Sequence, residues 1–280
     1  MENSIANRQK WTALLCPVCV KPLFPAASSA EEKCRSVGCE SGHSFDLSKE
    51  GYLNLLLGSG GTHGDDKEMI RARHRFLSGG TYEPLREKIC AALDTAKPGV
   101  LLDAGCGEGY YTAEAAKHAK NTVGIDLSKE ALRLAAKRPE SENIAYACAS
   151  VYKLPLPDRS VDTVLSVFSP FAAGEFLRVL SENGNAVYVY PGRKHLWELK
   201  ELLYQTPYEN EPQEDPPAGF SLIDTFAVDY RAELDQSRIA DLFTMTPYFY
   251  RTPKEGREKL LALEKLPLTV SFGIMLLRKN

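Results

Sequence analysis

Apolar and polar positions change rhythm twice along the chain. From Leu14 to about Leu57 the apolar runs are short and broken by turn residues: CPVC, KPLFP, AASSAEEKC, GCESGH. A piece so short builds little core and needs another source of order. GSGGTHGDD (58–66) reads as a flexible connection. In KEMIRARHRFLSGG, Met69, Ala72, Arg73 and Phe76 fall at helical spacing, and Gly79 and Gly80 stop the helix. From residue 84 a regular alternation sets in. YEPLREKICAALDTA predicts a helix, GVLLDAG a strand, YYTAEAAKHAK a helix, NTVGIDLS a strand and KEALRLAAKR a helix. IAYACAS and VDTVLSVFSP read as strands, AGEFLRVLSENG as a helix and NAVYVYP as a strand.

Apolar strands alternating with helices mean an α/β domain with a parallel sheet covered on both faces. HLWELKELLYQ then predicts a helix, and the acidic, proline-rich PYENEPQEDPPAGF a loop. SLIDTFAVDY, the helical LDQSRIADLFTMTP, a further helix and the strand LTVSFGIMLLR follow. The expected organisation is a small module at 1–57, a linker with a basic helix at 58–83, and the α/β domain at 84–280. Within the module, the first dozen residues read as a loose tail.

Composition changes this picture little. With 44% hydrophobic and 25% charged residues the chain is an ordinary globular protein. No apolar run reaches the length of a membrane span, and MENSIANRQK lacks the apolar stretch of a signal peptide, so a cytosolic protein without a membrane partner is expected. A net charge of −3 excludes a uniformly basic coat, yet a local basic face suffices for nucleic acid. Lys67, Arg71, Arg73 and Arg75, with His74, crowd one predicted helix. They form either a solvated face or a phosphate-contacting surface.

The seven cysteines change more. Cys16, Cys19, Cys34 and Cys39 cluster early, and in a reducing compartment such clusters are more often metal ligands than disulfides. CPVC offers two thiolates on one tight knuckle. CESGH sets Cys39 and His43 three residues apart, a second knuckle, and Cys34 is a looser alternative to Cys39. The expected site is a closed structural zinc site of Cys16, Cys19, Cys39 and His43, with Cys34 spare. Such a site folds a module that would otherwise be disordered.

LLDAGCGEGYYT (101–112) is the richest stretch. A buried strand ends at Asp103, and Gly105, Gly107 and Gly109 then open a helix, so that backbone can approach a ligand closely. About twenty residues on, at the tip of the next strand, Asp126 is placed to accept both ribose hydroxyls of a nucleoside. Dinucleotide sites prefer G-x-G-x-x-G. The G-x-G-x-G spacing here, with Asp103 and Glu108, resembles the S-adenosylmethionine (SAM) loop of Rossmann-like methyltransferases, where acidic groups face the cofactor's positive charges. The third strand ends in Ser150 where many such enzymes carry an acid near the adenine. After the fourth strand comes VFSPF. Phe168, Pro170 and Phe171 are candidates for holding a flipped base, with core packing of the phenylalanines as the competing explanation.

Together these features resemble the bacterial 23S ribosomal RNA (guanine-N1)-methyltransferase family, which includes tylosin-resistance enzymes. The matching segments run in order along almost the whole chain: CPVC, CESGHSFDLSKEGYLNLL, GTYEPL, LLDAGCGEGYYT, GIDLSKEAL, GRKHLWELK and MTP. FSPFAAGEFLRVL is closer to the Gram-positive branch. The resemblance implies a zinc-bearing RNA-recognition module on a SAM-dependent methyltransferase, acting on a guanine in a 23S rRNA hairpin loop near the macrolide-binding exit tunnel. It implies zinc on Cys16, Cys19, Cys39 and His43, and cofactor contacts from Tyr82, Gly107, Glu108 and His195. It also implies a homodimer whose groove accepts the hairpin, and a link to antibiotic resistance.

The reaction is an in-line displacement for which the enzyme aligns the reactants. Guanine N1 must lose its proton first. A carboxylate or a backbone carbonyl after the fourth strand is the expected acceptor; Asp158, Asp162, Glu108 and Glu175 are the nearby carboxylates in sequence, and the base is left unassigned. Two other readings compete: a small-molecule SAM methyltransferase, and a zinc-dependent RNA-binding protein with a non-catalytic SAM fold.

Overall fold

The computed structural model describes residues 10–26, 34–58 and 66–280. Residues 1–9, and all but the ends of the expected connection 58–66, lie outside them. The expected loose tail is corrected at its end. Lys10–Ala13 forms a 3-10 turn, and its Trp11, 2% exposed, is part of the core.

An eight-stranded sheet organises the molecule. Its centre is β5 (Val100–Ala104), β6 (Asn121–Asp126), β7 (Ile144–Cys148) and β8 (Val161–Val167), all parallel. Every residue of β7 is buried, as expected for a strand covered on both faces. β9 (Leu180–Pro191) continues parallel beside β8. A long antiparallel hairpin of β10 (Phe220–Asp235) and β11 (Lys265–Lys279) then completes that side, with SLIDTFAVDY inside its outer strand.

The spatial order is β10, β11, β9, β8, β5, β6, β7, with β4 (Leu53–Asn54) at the far edge. The chain therefore winds outward from β5 through β6 and β7, then crosses back to β8 and β9. That reversal opens a cleft at the carboxyl ends of β5 and β8, where open α/β sheets bind ligands. Both Gly105 and Phe168 sit there.

One predicted helix is shorter than expected. AGEFLRVLSENG is helical only over Ala173–Val179. Leu180 turns extended and is fully buried. The ladder to β8 then jumps from Val161↔Leu180 to Thr163↔Asn185, so the intervening residues bulge out.

The N-terminal segment contributes a three-stranded sheet of β1 (Phe24–Pro25), β2 (Ser36–Gly38) and β3 (Ser44–Asp46). It is not a separate bead. β4 pairs in parallel with β7, Leu53 opposite Ala147 and Asn54 opposite Cys148. Trp11, Leu14, Leu23 and Val37 pack in one buried cluster with Leu102, Val123 and Ile125 of the large sheet.

Candidate functional site

The two cysteine knuckles meet. One ligand atom from each of Cys16, Cys19, Cys39 and His43 lies within 4.8 Å of all the others. Cys16 Sγ is 3.6 Å from His43 Nδ1, Cys39 Sγ is 3.4 Å from the same nitrogen, and Cys19 Sγ is 3.5 Å from Cys39 Sγ. The Lys21 backbone N–H pulls the Cys19 thiol down to about 6, toward the thiolate a metal needs, whereas burial raises Cys16. Three thiolates and one imidazole nitrogen in a closed tetrad suit structural zinc. Cys34 turns away and donates to the Ser36 carbonyl at 3.2 Å.

At the cleft, the three glycines of the loop have left-handed backbones but different surroundings. A Cβ on Gly105 would strike Ser169, and one on Gly109 would meet Tyr146 and Ala135 within 3.0 Å. A Cβ on Gly107 would meet nothing within 4 Å. Gly107 is therefore the open face of the cradle, and the other two glycines let the loop pack. Buried oxygens at this loop, Glu108 Oε1 and Ser169 Oγ, have no partner within the described protein. An open glycine face beside unpaired polar atoms fits a polar nucleoside ligand.

The acidic residues are held firmly. Asp126 accepts from Gly107 N at 2.9 Å and from Ser128 N at 2.7 Å, which ties the second strand tip to the cradle. Asp103 is buried beneath the loop and accepts from Thr112 Oγ1 at 2.6 Å. Burial lifts its pKa to about 7 despite that hydrogen bond, and the nearby Asp126 charge adds to the rise. Glu108, with 1% of its side chain exposed, points to His74 at 2.8 Å and to Arg138.

Tyr82 and His195 are brought together although 113 residues separate them. The Ser271 N–H donates to His195 Nδ1, which leaves the proton on Nε2 facing the Tyr82 hydroxyl oxygen at 3.3 Å. Burial, with the Lys200 charge adding to it, lowers His195 to about 3, so this histidine is neutral throughout the physiological range. Phe272 packs on both rings, 4.9 Å from Tyr82 and 4.4 Å from His195 between centroids.

Two family models match. One, described as RlmA, N-terminal, a zinc ribbon, covers residues 14–57, and a methyltransferase domain covers 102–188. A protein of Micromonospora griseorubida described as a 23S rRNA (guanine-N1)-methyltransferase is 32% identical over 95% of this chain and 96% of its own length. A Bacillus subtilis protein of the same description is 33% identical over 93% of this chain and 95% of its own. The chain belongs to the 23S rRNA (guanine-N1)-methyltransferase family. The Streptomyces fradiae 23S rRNA (guanine(748)-N1)-methyltransferase is 33% identical over 68% of the chain and 67% of its own length.

The segment after β8 divides the three base-binding candidates. Phe168 has a left-handed backbone at φ 53°, a strained state for a bulky residue, and is 46% exposed against Phe272. Pro170 is exposed beside it. Phe171 packs inward among Phe176, Tyr188 and Phe220.

For a guanine-N1 methyltransferase the carboxylates matter as well. Glu175 and Asp158 both bind Arg178, at 2.7 and 2.8 Å. Asp162 accepts from Val100 N at 2.7 Å. It stands near the start of β8, about 20 Å of strand away from Phe168. These three are structural. Glu108 is the one of the four on the cleft side.

His74 and Arg138, the partners of Glu108, carry no motif, because only folding brings them within reach. Three arginines of the basic helix Lys67–Ser78 have partners within the protein. Arg75 pairs with Asp241 at 3.0 Å, Arg73 donates to the Met245 carbonyl at 3.3 Å, and Arg71 lies 3.8 Å from Glu130. These three arginines tie it to the helices Gln236–Met245 and Lys129–Ala135.

Proposed function

We propose that the protein transfers a methyl group from SAM to N1 of a guanine in a hairpin loop of 23S rRNA. The observation that carries this is the joining of a zinc knuckle and a glycine cradle to one sheet, the first through β4 and the second through β5 and β6, in a chain whose full-length relatives bear that description. SAM supplies an electrophilic methyl on a sulfonium.

The chain's own residues bind and orient. Gly107 of the cradle would face the cofactor, with Gly105 packed on Ser169 to set the loop beside it, Asp126 at the ribose and Asp103 supporting the loop from below. Glu108, fixed by His74 and Arg138, would hold the amino-acid end. The neutral Tyr82–His195 pair would close the site against Phe272. Phe168 would stack the extruded guanine, with Pro170 stiffening the turn beneath it. Residues 1–57 would form the RNA-recognition module, 58–83 the linker and basic helix, and 84–280 the methyltransferase domain.

The target hairpin lies near the macrolide-binding exit tunnel on this reading, which would link the modification to antibiotic resistance and place the protein in the cytoplasm as a homodimer. Among the described residues no helix is long and apolar enough to cross a membrane.

Reverse transcription of 23S rRNA treated with the protein and SAM tests the proposal. N1-methylguanine blocks pairing, so a new stop one nucleotide before a hairpin-loop guanine is expected. Absence of any stop on naked and ribosomal RNA, with SAM still binding, would overturn it.

A further inference from the structure

A hollow of about 240 Å³ lies just past the end of β9, against the middle of β10 and β11. Tyr190, Gly192, Arg193, Gln213, Asp229 and Phe272 line it. It is smaller than the ~300–1,000 Å³ of sites for drug-sized ligands, and so suits one heterocycle.

This hollow is built on both sides. Tyr190 lies opposite Gly273 in the ladder, and its ring covers that glycine so closely that a Cβ there would displace it. The other wall is the loop after the helix Trp197–Leu203. Asn210 fastens it: its Nδ2 donates to the Gly192 carbonyl at 2.7 Å and its backbone N–H to the Arg193 carbonyl at 2.8 Å. Its Oδ1 accepts from Lys200 Nζ at 2.7 Å. Lys200 is fully buried and also donates to the Tyr208 carbonyl at 3.0 Å. A buried cation spent on two neutral oxygens of a surface loop holds that wall in place. Arg193 is itself oriented by Glu209, at 2.9 Å.

We infer that this hollow receives a second unstacked base of the RNA, a guanine beside the methylated one in the strand. The inference rests on the RNA reading above. Phe168 ends β8, and the hollow starts one strand over, at β9 and β11. Strand spacing puts the two roughly 5–10 Å apart, within reach of a neighbouring nucleotide. Phe272 joins the two through the sheet: its backbone borders the hollow, while its ring, on the opposite face of β11 from Tyr190, touches Phe168 at 5.3 Å. Tyr190 offers a stacking face. Asp229 accepts from the adjacent N1–H and N2–H of a guanine, while Arg193 donates to its O6. No other base presents two neighbouring donors beside an acceptor in that order.

The test uses a pool of rRNA hairpins with the loop positions around the target randomised. The pool is methylated by the full-length protein, and products are sequenced. Wild type is expected to enrich guanine at one position within two nucleotides of the modified base. Asp229→Asn and Arg193→Gln, both at exposed positions, are expected to flatten that preference and raise the RNA KM about 10-fold, leaving kcat and SAM affinity unchanged. No flanking preference, a preference for another base, or a preference that survives both substitutions would overturn the inference. A wild type that binds SAM but methylates no RNA would instead overturn the function proposed above, and the hollow's role with it.

Discussion

The zinc knuckles and the glycine cradle solve the same problem by opposite means. Each must hold a few atoms in place around a ligand. The N-terminal segment does so with strands of two or three residues, which supply few ladder bonds, and gathers three sulfurs and a nitrogen around one point. The cradle hangs from β5, β6 and β8, buried strands of five to seven residues, and needs no metal to hold its shape. Where a metal supplies the order, a few ligands carry most of it, helped by the anchoring of Trp11, Leu14, Leu23 and Val37 on the large sheet. Where packing supplies it, every neighbour of the loop matters, including Ser169, Tyr146 and Ala135.

The sharpest way to break the comparison is to remove the metal. Chelation, or Cys19→Ser, is expected to lower rRNA methylation more than 100-fold, since apparent zinc-binding energies of ~10–16 kcal/mol are folding energy in such modules. SAM affinity by calorimetry should change by less than about 3-fold. A parallel collapse of SAM binding would mean that the two regions stand or fall together.

Within the cradle, Gly109→Ala is expected to destabilise the fold by about 3 kcal/mol through collision with Tyr146 and Ala135. Gly107→Ala should cost only about 1–2 kcal/mol of backbone strain yet weaken SAM about 10-fold, because its Cβ fills the open face. Thermal melts with and without SAM separate the two. Phe168→Ala should lower kcat/KM for RNA about 10-fold with little change in stability. Phe171→Ala should instead destabilise by about 2–3 kcal/mol.

Asp103 gives a smaller, pH-dependent effect. Its carboxyl ionises at about 7 when folded and near 4 when unfolded, so between those values the folded state binds more protons. Its contribution is present at low pH and is lost as pH rises toward 7. Asp103→Asn, which can still accept from Thr112, should therefore flatten the decline in melting temperature between pH 5 and 8. The least effect is expected from Cys34→Ser, which should retain about one zinc per chain by atomic absorption.

The order of strands and helices from residue 84 was legible because the central strands are mostly apolar and two of the helices between them start at clear signals, Gly109 and Ser128. The zinc ligands were legible because knuckle spacing is local. Other features have no local signature. A two-residue strand such as β4 shows no periodicity, so its place at the sheet edge could not be read from Leu53 and Asn54. The links from Glu108 to His74 and Arg138 span 34 and 30 residues and depend on two helices converging. Trp11 looked like tail because its partners, among them Val123 and Ile125, lie more than a hundred residues away. Phe168 and Phe171 were indistinguishable in sequence, since one strained turn aims the first outward and the second inward.

The pairing of β4 with β7 makes the molecule a caliper. The metal-bound jaw and the methylating jaw are ruled off along one hydrogen-bonded ladder instead of hanging from a hinge, so their gap is a fixed length. On the proposed reading, an RNA gripped by the first jaw would present to the other only the nucleotide that lies that far along it. Choice of target would then be a matter of measured distance, and a hairpin whose stem is one base pair longer would offer a different residue.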